Sequence, residues 1–176
     1  LKGKQAILIS GVVIIVLAIG GFYFMNRTPF EKLHPQVGER APALDLADLR
    51  GRMVSLSDYK GKVVVISFWA DWCPPCKKQL RLFQEFLDGY TGEDIAFIGV
   101  AIDDIDDSVL SELGVTYPIV RISERVRHDF GDIKSVPATF IIDRNGIVVE
   151  KTKKYFNKES LQRKLSEYLG SQNQRE

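Results

Sequence analysis

Cysteine is nearly absent from this chain: its 176 residues carry only Cys73 and Cys76. Two thiols exclude a disulfide-stapled scaffold and a four-cysteine zinc module within one chain. Histidine is as scarce, with His34 and His128 alone, so imidazoles offer little to complete a zinc site around the cysteines. An excess of one charge is lacking too, because 24 Lys and Arg stand against 23 Asp and Glu for a formal net charge of +1. That balance gives no electrostatic reason to expect a nucleic-acid partner. There is no internal repeat. Apolar residues at 45% and charged residues at 27% exclude wholesale disorder, and the length fits one domain with attachments.

Against these absences stands one long apolar run, Ala6 to Met25, which is free of charge. Its roughly 20 residues rise about 30 Å as a helix, the thickness of a bilayer's hydrocarbon core. Phe22, Tyr23 and Phe24 close it as an interfacial aromatic belt would. A buried core helix would carry a polar stripe, and a cleaved signal peptide would have a shorter apolar region of about 7–15 residues. The run therefore predicts an uncleaved single-pass anchor over residues 1–25. Lys2 and Lys4 precede it, and this slight bias favours a cytoplasmic N-terminus with the rest of the chain on the extracytoplasmic side of the membrane.

Residues 26–40 have two prolines and scattered charges without apolar periodicity, and read as a tether. From 41 to 170 the pattern is that of a folded α/β domain. Apolar residues flanking Arg50-Gly51-Arg52 predict a hairpin. Lys62 to Trp69 and Ile95 to Ile102 are continuous β-branched and aromatic runs, the mark of strands buried on both faces. A helix is expected from Pro74, with Leu80, Phe83, Leu87 and Tyr90 on one side, broadened by Leu82 and Phe86. Further helices are expected over 103–113, over 124–130 and after a cap at Asn157, with an extended stretch over 118–122. Strands over 138–142 and 147–150 are joined through Asn145-Gly146, a strong hairpin signal. Residues 171–176 read as a frayed tail. Strands alternating with helices, then a hairpin and a last helix, predict a mixed sheet covered on both faces.

The cysteines lie in Trp72-Cys73-Pro74-Pro75-Cys76, directly after one predicted strand and at the start of a helix. Thiol–disulfide exchange runs through a thiolate, which the amides and dipole of a helix N-terminus stabilise. Pro74 is tolerated there, since a first-turn amide has no intrahelical partner. Cys76, three residues on, shares a helical face with Cys73 and can resolve a mixed disulfide formed at it. Cys73 is thus the expected attacking thiol and Cys76 the resolving one. A purely structural disulfide closing so small a loop would add little stability.

At these residues the chain resembles the thioredoxin-like superfamily, and more closely the membrane-anchored branch that includes the TlpA and ResA thiol–disulfide oxidoreductases, with relatives in the AhpC/TSA branch. The likeness runs in order through Ala41-Pro42, Gly51 with Val54-Ser55-Leu56, Tyr59 to Lys62, Ser67 to Ala70, the cysteine motif, Tyr117-Pro118, Val136 to Asp143 and Asn145-Gly146. It implies a thioredoxin-like fold with an N-terminal β-hairpin extension and a central insert over about 91–121. It also implies a cis bond before Pro137, beside the cysteines, with Trp72, Pro74, Pro75, Val136 and Pro137 meeting an extended substrate strand. Three positions depart from the pattern. Gln79 stands where the family often has Glu, Ser67 where thioredoxins bury an Asp, and Arg81 where they kink the helix with a proline; a straighter helix is expected here.

Among other candidates, Lys77 and Lys78 read as a solvated first turn rather than tuners of the thiols. Trp69 reads as core and His128 as a surface or half-buried residue. Asp103, Asp104, Asp106 and Asp107 read as acids at a helix start, since they lack the glycine and terminal Glu of a calcium loop. The expected activity is protein-disulfide reduction with no cofactor beyond the Cys73/Cys76 pair. The resemblance implies a membrane thiol–electron carrier as reductant and a protein disulfide such as that of apocytochrome c as substrate; a monomer is expected. The alternatives are a reductant for an envelope or spore-cortex assembly enzyme, a thiol peroxidase and a non-enzymatic binding module. Ala70 argues against the peroxidase, which wants Thr at that position.

Overall fold

The computed structural model describes residues 35–106, 108–131 and 133–170. The expected anchor, residues 26–34 of the tether and the 171–176 tail lie outside the described residues. Among the described residues, no helix is long and apolar enough to cross a membrane.

Strand β3 (Val63–Trp69) is buried along its whole length and forms the centre of the domain. It pairs in parallel with β4 (Ile95–Ala101) from Val63↔Ile95 to Trp69↔Ala101, and antiparallel with β6 (Ala138–Ile142) through Ser67↔Thr139 and Phe68↔Ala138. β5 (Ile119–Arg121) adds to β4 and β7 (Val148–Thr152) to β6, for the order β5-β4-β3-β6-β7. A separate hairpin of β1 (Asp45–Ala47) and β2 (Met53–Ser55) docks on the sheet edge, where the Leu49 N–H donates to the Ile119 carbonyl at 2.9 Å.

The period-2 alternation of β3 divides the core. Val63, Val65 and Trp69 face a layer of helices α1 (Pro74–Asp88) and α4 (Lys158–Gly170), with Leu80, Phe83, Leu161 and Leu165. Val64, Ile66 and Phe68 face the opposite layer, which includes Leu44, Val54 and Val126 of α3 (Glu124–Asp129). Phe68, Phe130 and Phe140 meet with ring centroids 5.2–5.7 Å apart on that side. Phe83 and Phe97 meet at 4.8 Å on the other. Both faces are sealed by helices or loops, as the continuous apolar runs required.

Four expectations change. Residues 38–40 belong to the domain rather than to a tether: the Gly38 N–H donates to Val148 O at 2.8 Å, the Val148 N–H donates to Glu39 O at 2.9 Å, and Arg40 forms a β-bridge with Ile147. This pairing is made by backbone groups, with Arg40 Nη1 also donating to Asn145 O at 3.1 Å, and leaves no apolar signature. The helix expected over 103–113 is only α2 (Val109–Leu113), because Asp106 turns the chain ahead of it by accepting the Ser108 N–H at 2.8 Å. Tyr90 lies beyond the end of α1, stacked on Phe86 at 5.3 Å. The 91–121 stretch is no appendage, since β4 within it is an inner strand; only α2 and β5 are peripheral.

The Asn145-Gly146 hairpin forms as expected. Asp143 Oδ1 accepts the N–H groups of Asn145 and Ile147 at 2.9 and 2.8 Å, and Gly146 takes φ +81°, a region that disfavours any side chain. Asn157 caps α4, its Oδ1 accepting the Ser160 N–H at 2.8 Å.

Candidate active site

Strand β3 ends at Trp69, and four residues later Cys73 stands at the N-cap of α1 in extended conformation. The turn is closed by the Cys73 N–H donating to Ala70 O at 3.1 Å. Cys73 and Cys76 form a disulfide with Cα atoms 5.3 Å apart. Both are largely buried, Cys73 at 4% exposure and Cys76 at 1%, whereas Trp72 beside them is 69% exposed. Pro74 and Pro75 are exposed in the first turn. The pair therefore lies just under the surface at the C-terminal ends of β3 and β4, flagged by one large aromatic.

The Val136-Pro137 bond is cis, as the resemblance implied. The register places it at the same end of the sheet, because Ala138, the next residue, pairs with Phe68. Pro137 is buried, and Val136 is half-buried against the core cluster that contains both cysteines. The fold thus brings Trp72, Cys73, Pro74, Pro75, Cys76, Val136 and Pro137 to one end of the sheet.

The helix N-terminus differs from expectation in one respect. Its first two positions are prolines, which have no N–H, and the first amides available, those of Cys76 and Lys77, both point at the Cys73 carbonyl at 3.0 and 3.2 Å. The amides expected to stabilise a Cys73 thiolate are either missing or taken. What remains is the axial dipole.

Beneath the pair lies a buried polar cluster. Gln79, Ser67 and Thr139 are each at most 1% exposed. Gln79 Nε2 donates to Thr139 Oγ1 at 2.9 Å and to Ser67 Oγ at 3.1 Å, while its Oε1 accepts the Phe156 N–H at 3.0 Å. Ser67 and Thr139 are register partners whose odd positions face α1, so the Gln79 amide meets both hydroxyls within that layer. The two departures at Ser67 and Gln79 are therefore one arrangement, joined by a partner on β6 that the sequence does not announce.

Lys77 is not simply solvated. Its side chain is 17% exposed, with Nζ 2.7 Å from Asp71 Oδ1 and 3.1 Å from Glu112 Oε1. The hydrogen bond that Lys77 donates to Asp71, opposed by burial and aided by Glu112, raises the pKa of the Lys77 ammonium above its ordinary value. Lys78 is exposed, as expected. Arg81 donates to the Glu112 carbonyl at 3.1 Å, and α1 runs unbroken past it. The Tyr117 hydroxyl donates to Leu80 O at 2.8 Å from a buried position, and burial pushes its pKa up. Nothing local in the sequence signals the Glu112 or Tyr117 contacts, which bridge 31–37 positions.

Trp69 is fully buried and Trp72 exposed, in accord with the sequence reading; His128 is exposed. Asp103 and Asp104 lie in the loop after β4 rather than at a helix start.

This architecture has close relatives. The chain is 29% identical over 167 residues to the thiol-disulfide oxidoreductase ResA of Geobacillus kaustophilus, covering 93% of this chain and 96% of that protein. It is 29% identical over 152 residues to ResA of Bacillus subtilis, covering 85% of each. Among solved structures, it superposes on a protein described as thiol:disulfide interchange protein DsbE from Chlorobium tepidum. That match has a TM-score of 0.69 and 28% identity, over 77% of this chain and 99% of the other. The sequence pattern of the AhpC/TSA family matches residues 37–151. With its cysteines bonded at the head of α1 and its fold and relatives in agreement, the chain belongs to the AhpC/TSA family and is a thiol–disulfide oxidoreductase.

Proposed function

We propose that this protein is a membrane-tethered, extracytoplasmic reductase of protein disulfides, re-reduced by a membrane dithiol carrier, with apocytochrome c as its substrate. The observation that carries the direction of transfer is the proline-filled first turn of α1. A thiolate at Cys73 gains less from this helix than from one with free amides, so the dithiol form is less favoured and the couple more reducing. The apolar run over 6–25 supports tethering, which keeps a brief enzyme–substrate encounter at high effective concentration.

In the reduced enzyme, the Cys73 thiolate attacks one sulfur of the substrate disulfide. A Cys73–substrate bond forms as the substrate's own S–S bond breaks, and the departing sulfur takes a proton. Cys76, held at 1% exposure behind Cys73, then loses its proton and attacks the Cys73 sulfur, re-forming the Cys73–Cys76 bond and releasing the second substrate thiol. Two electrons pass to the substrate, and the carrier restores them by the same exchange in reverse. Trp72 and the Val136-Pro137 edge flank the reacting sulfurs and hold the incoming strand.

The reduction potential of the full chain in detergent, equilibrated against defined thiol buffers, tests this reading. A value near or below about −250 mV is expected; one near −120 mV would make the protein a disulfide-forming oxidant and overturn the proposal.

A further inference from the structure

The end of the sheet that carries the cysteines is unevenly charged. Thr152, at the end of β7, pairs with Thr139, which pairs with Ser67, so β7 finishes at the same end of the sheet as the redox pair, one strand removed from β3. The chain then runs through Lys153, Lys154 and Tyr155 to Phe156, whose N–H is held by Gln79, one helical turn past Cys76. Phe156 is 6% exposed and anchors the segment, while Lys153, Lys154 and Tyr155 are exposed. Lys134 is exposed three residues before the cis Pro137. None of these three lysines forms an ion pair with a described residue, in contrast to Lys77 and Lys164. Burial, and then the charge of Lys153, push the neighbouring Lys151 below its ordinary value, consistent with a positive local potential.

The opposite flank is acidic. Ala101 pairs with Trp69 at the end of β4, and the loop that follows carries Asp103, Asp104 and Asp106, with Asp104 almost fully exposed beside Arg121. Charges within about 10 Å of a bound segment act on it at physiological salt, and both flanks lie at the end of the sheet that carries the cysteine turn.

We propose that the basic edge formed by Lys134, Lys153 and Lys154 selects the protein substrate: a polypeptide whose reactive cysteine has acidic residues on the side that crosses this edge. Tyr155, 45% exposed, supplies apolar contact within the same strip. The position of the strip, continuous with Gln79 and the redox helix, favours a polypeptide crossing the cysteines as its occupant. This proposal rests on the reductase reading and names the substrate class of that same site.

The test uses the full chain in non-ionic detergent, reduced beforehand and mixed in single turnover with three disulfide peptides of equal length. Their cysteines are flanked by Glu, Lys or Gln, and the rate constants are read at low and high salt. The Glu peptide is expected to exceed the Lys peptide by at least about tenfold at low salt. At about 1 M salt the ratio falls toward unity. The Lys153→Glu/Lys154→Glu variant loses or inverts the ratio. Lys60→Glu/Lys62→Glu, with the same change in net charge at the other end of β3, keeps it. Equal rates for the three peptides, a salt-independent ratio, or equal loss in both variants overturns the proposal. So does a ratio untouched by Lys153→Glu/Lys154→Glu while that variant loses binding to anionic-lipid vesicles, which would assign the edge to a membrane surface. If no peptide is reduced at all, the reductase reading itself fails, an outcome distinct from loss of preference.

Discussion

Gln79 donates to the Thr139 hydroxyl at 2.9 Å, joining the redox helix to the strand that directly follows the cis Pro137. Both residues have no measurable exposure, and the Gln79 amide spends both ends on protein partners: two hydroxyls and the Phe156 N–H. Removing the amide leaves those groups buried without it. Gln79→Leu should therefore destabilise the oxidised protein by about 1–3 kcal/mol, read as a lower urea midpoint at unchanged slope.

Proline at both of the first helical positions withholds amides from Cys73. Pro75→Ala restores one N–H at the positive end of α1. The Cys73 thiol of the reduced protein should ionise more readily, and the reduction potential should become less negative. Thiolate absorbance against pH measures the first and thiol-buffer equilibration the second.

The division of labour between the cysteines predicts opposite behaviour of two variants. Cys76→Ser should accumulate a mixed disulfide with a disulfide substrate, seen as a reductant-sensitive shift on a non-reducing gel. Cys73→Ser should form none. Hydrogen peroxide with a thiol donor should not be consumed above background by the unmodified protein, since Ala70 places no hydroxyl three residues before Cys73.

Asp48 ties the β1–β2 hairpin together. Burial opposes its charge, but the Arg52 N–H and side chain and the Arg50 N–H outweigh that and hold the carboxyl below its ordinary 3.8. Its oxygens accept from the Arg52 N–H at 2.8 Å and from Arg52 Nη2 at 2.7 Å. A lowered carboxyl contributes stability that is present above its unfolded pKa and lost as pH falls through the folded one. Asp48→Asn should cost about 1–3 kcal/mol at neutral pH. It should also remove part of the wild-type loss of stability below about pH 4, measured by urea unfolding across pH.

Tyr117→Phe removes a buried hydroxyl and leaves the Leu80 carbonyl without that donor. The expected cost is about 1 kcal/mol, with Leu80 amide exchange in α1 accelerated.

Much of the site was legible in the residues. The Cys73-Pro74-Pro75-Cys76 run after a buried strand identified the chemistry, and Asn145-Gly146 and Asn157 marked a hairpin and a helix start through local backbone preferences. Residues 38–40 carry no domain signal in the sequence because backbone pairing has no side-chain period. The helical pattern fails ahead of Val109 because Asp106 accepts the Ser108 N–H and competes with the helix.

What the sequence determined by itself is local and periodic: the buried strands, the amphipathic α1, the turn chemistry and a cysteine pair one helical turn apart. Tertiary structure alone decided which distant groups meet. Ser67, Gln79 and Thr139 share a face only because β3 and β6 pair in one register, and a one-residue slip would turn that face around. The placement of Lys153 and Lys154 at the redox end of the sheet likewise follows from strand order, since a charge on the chain carries no record of the surface it will face.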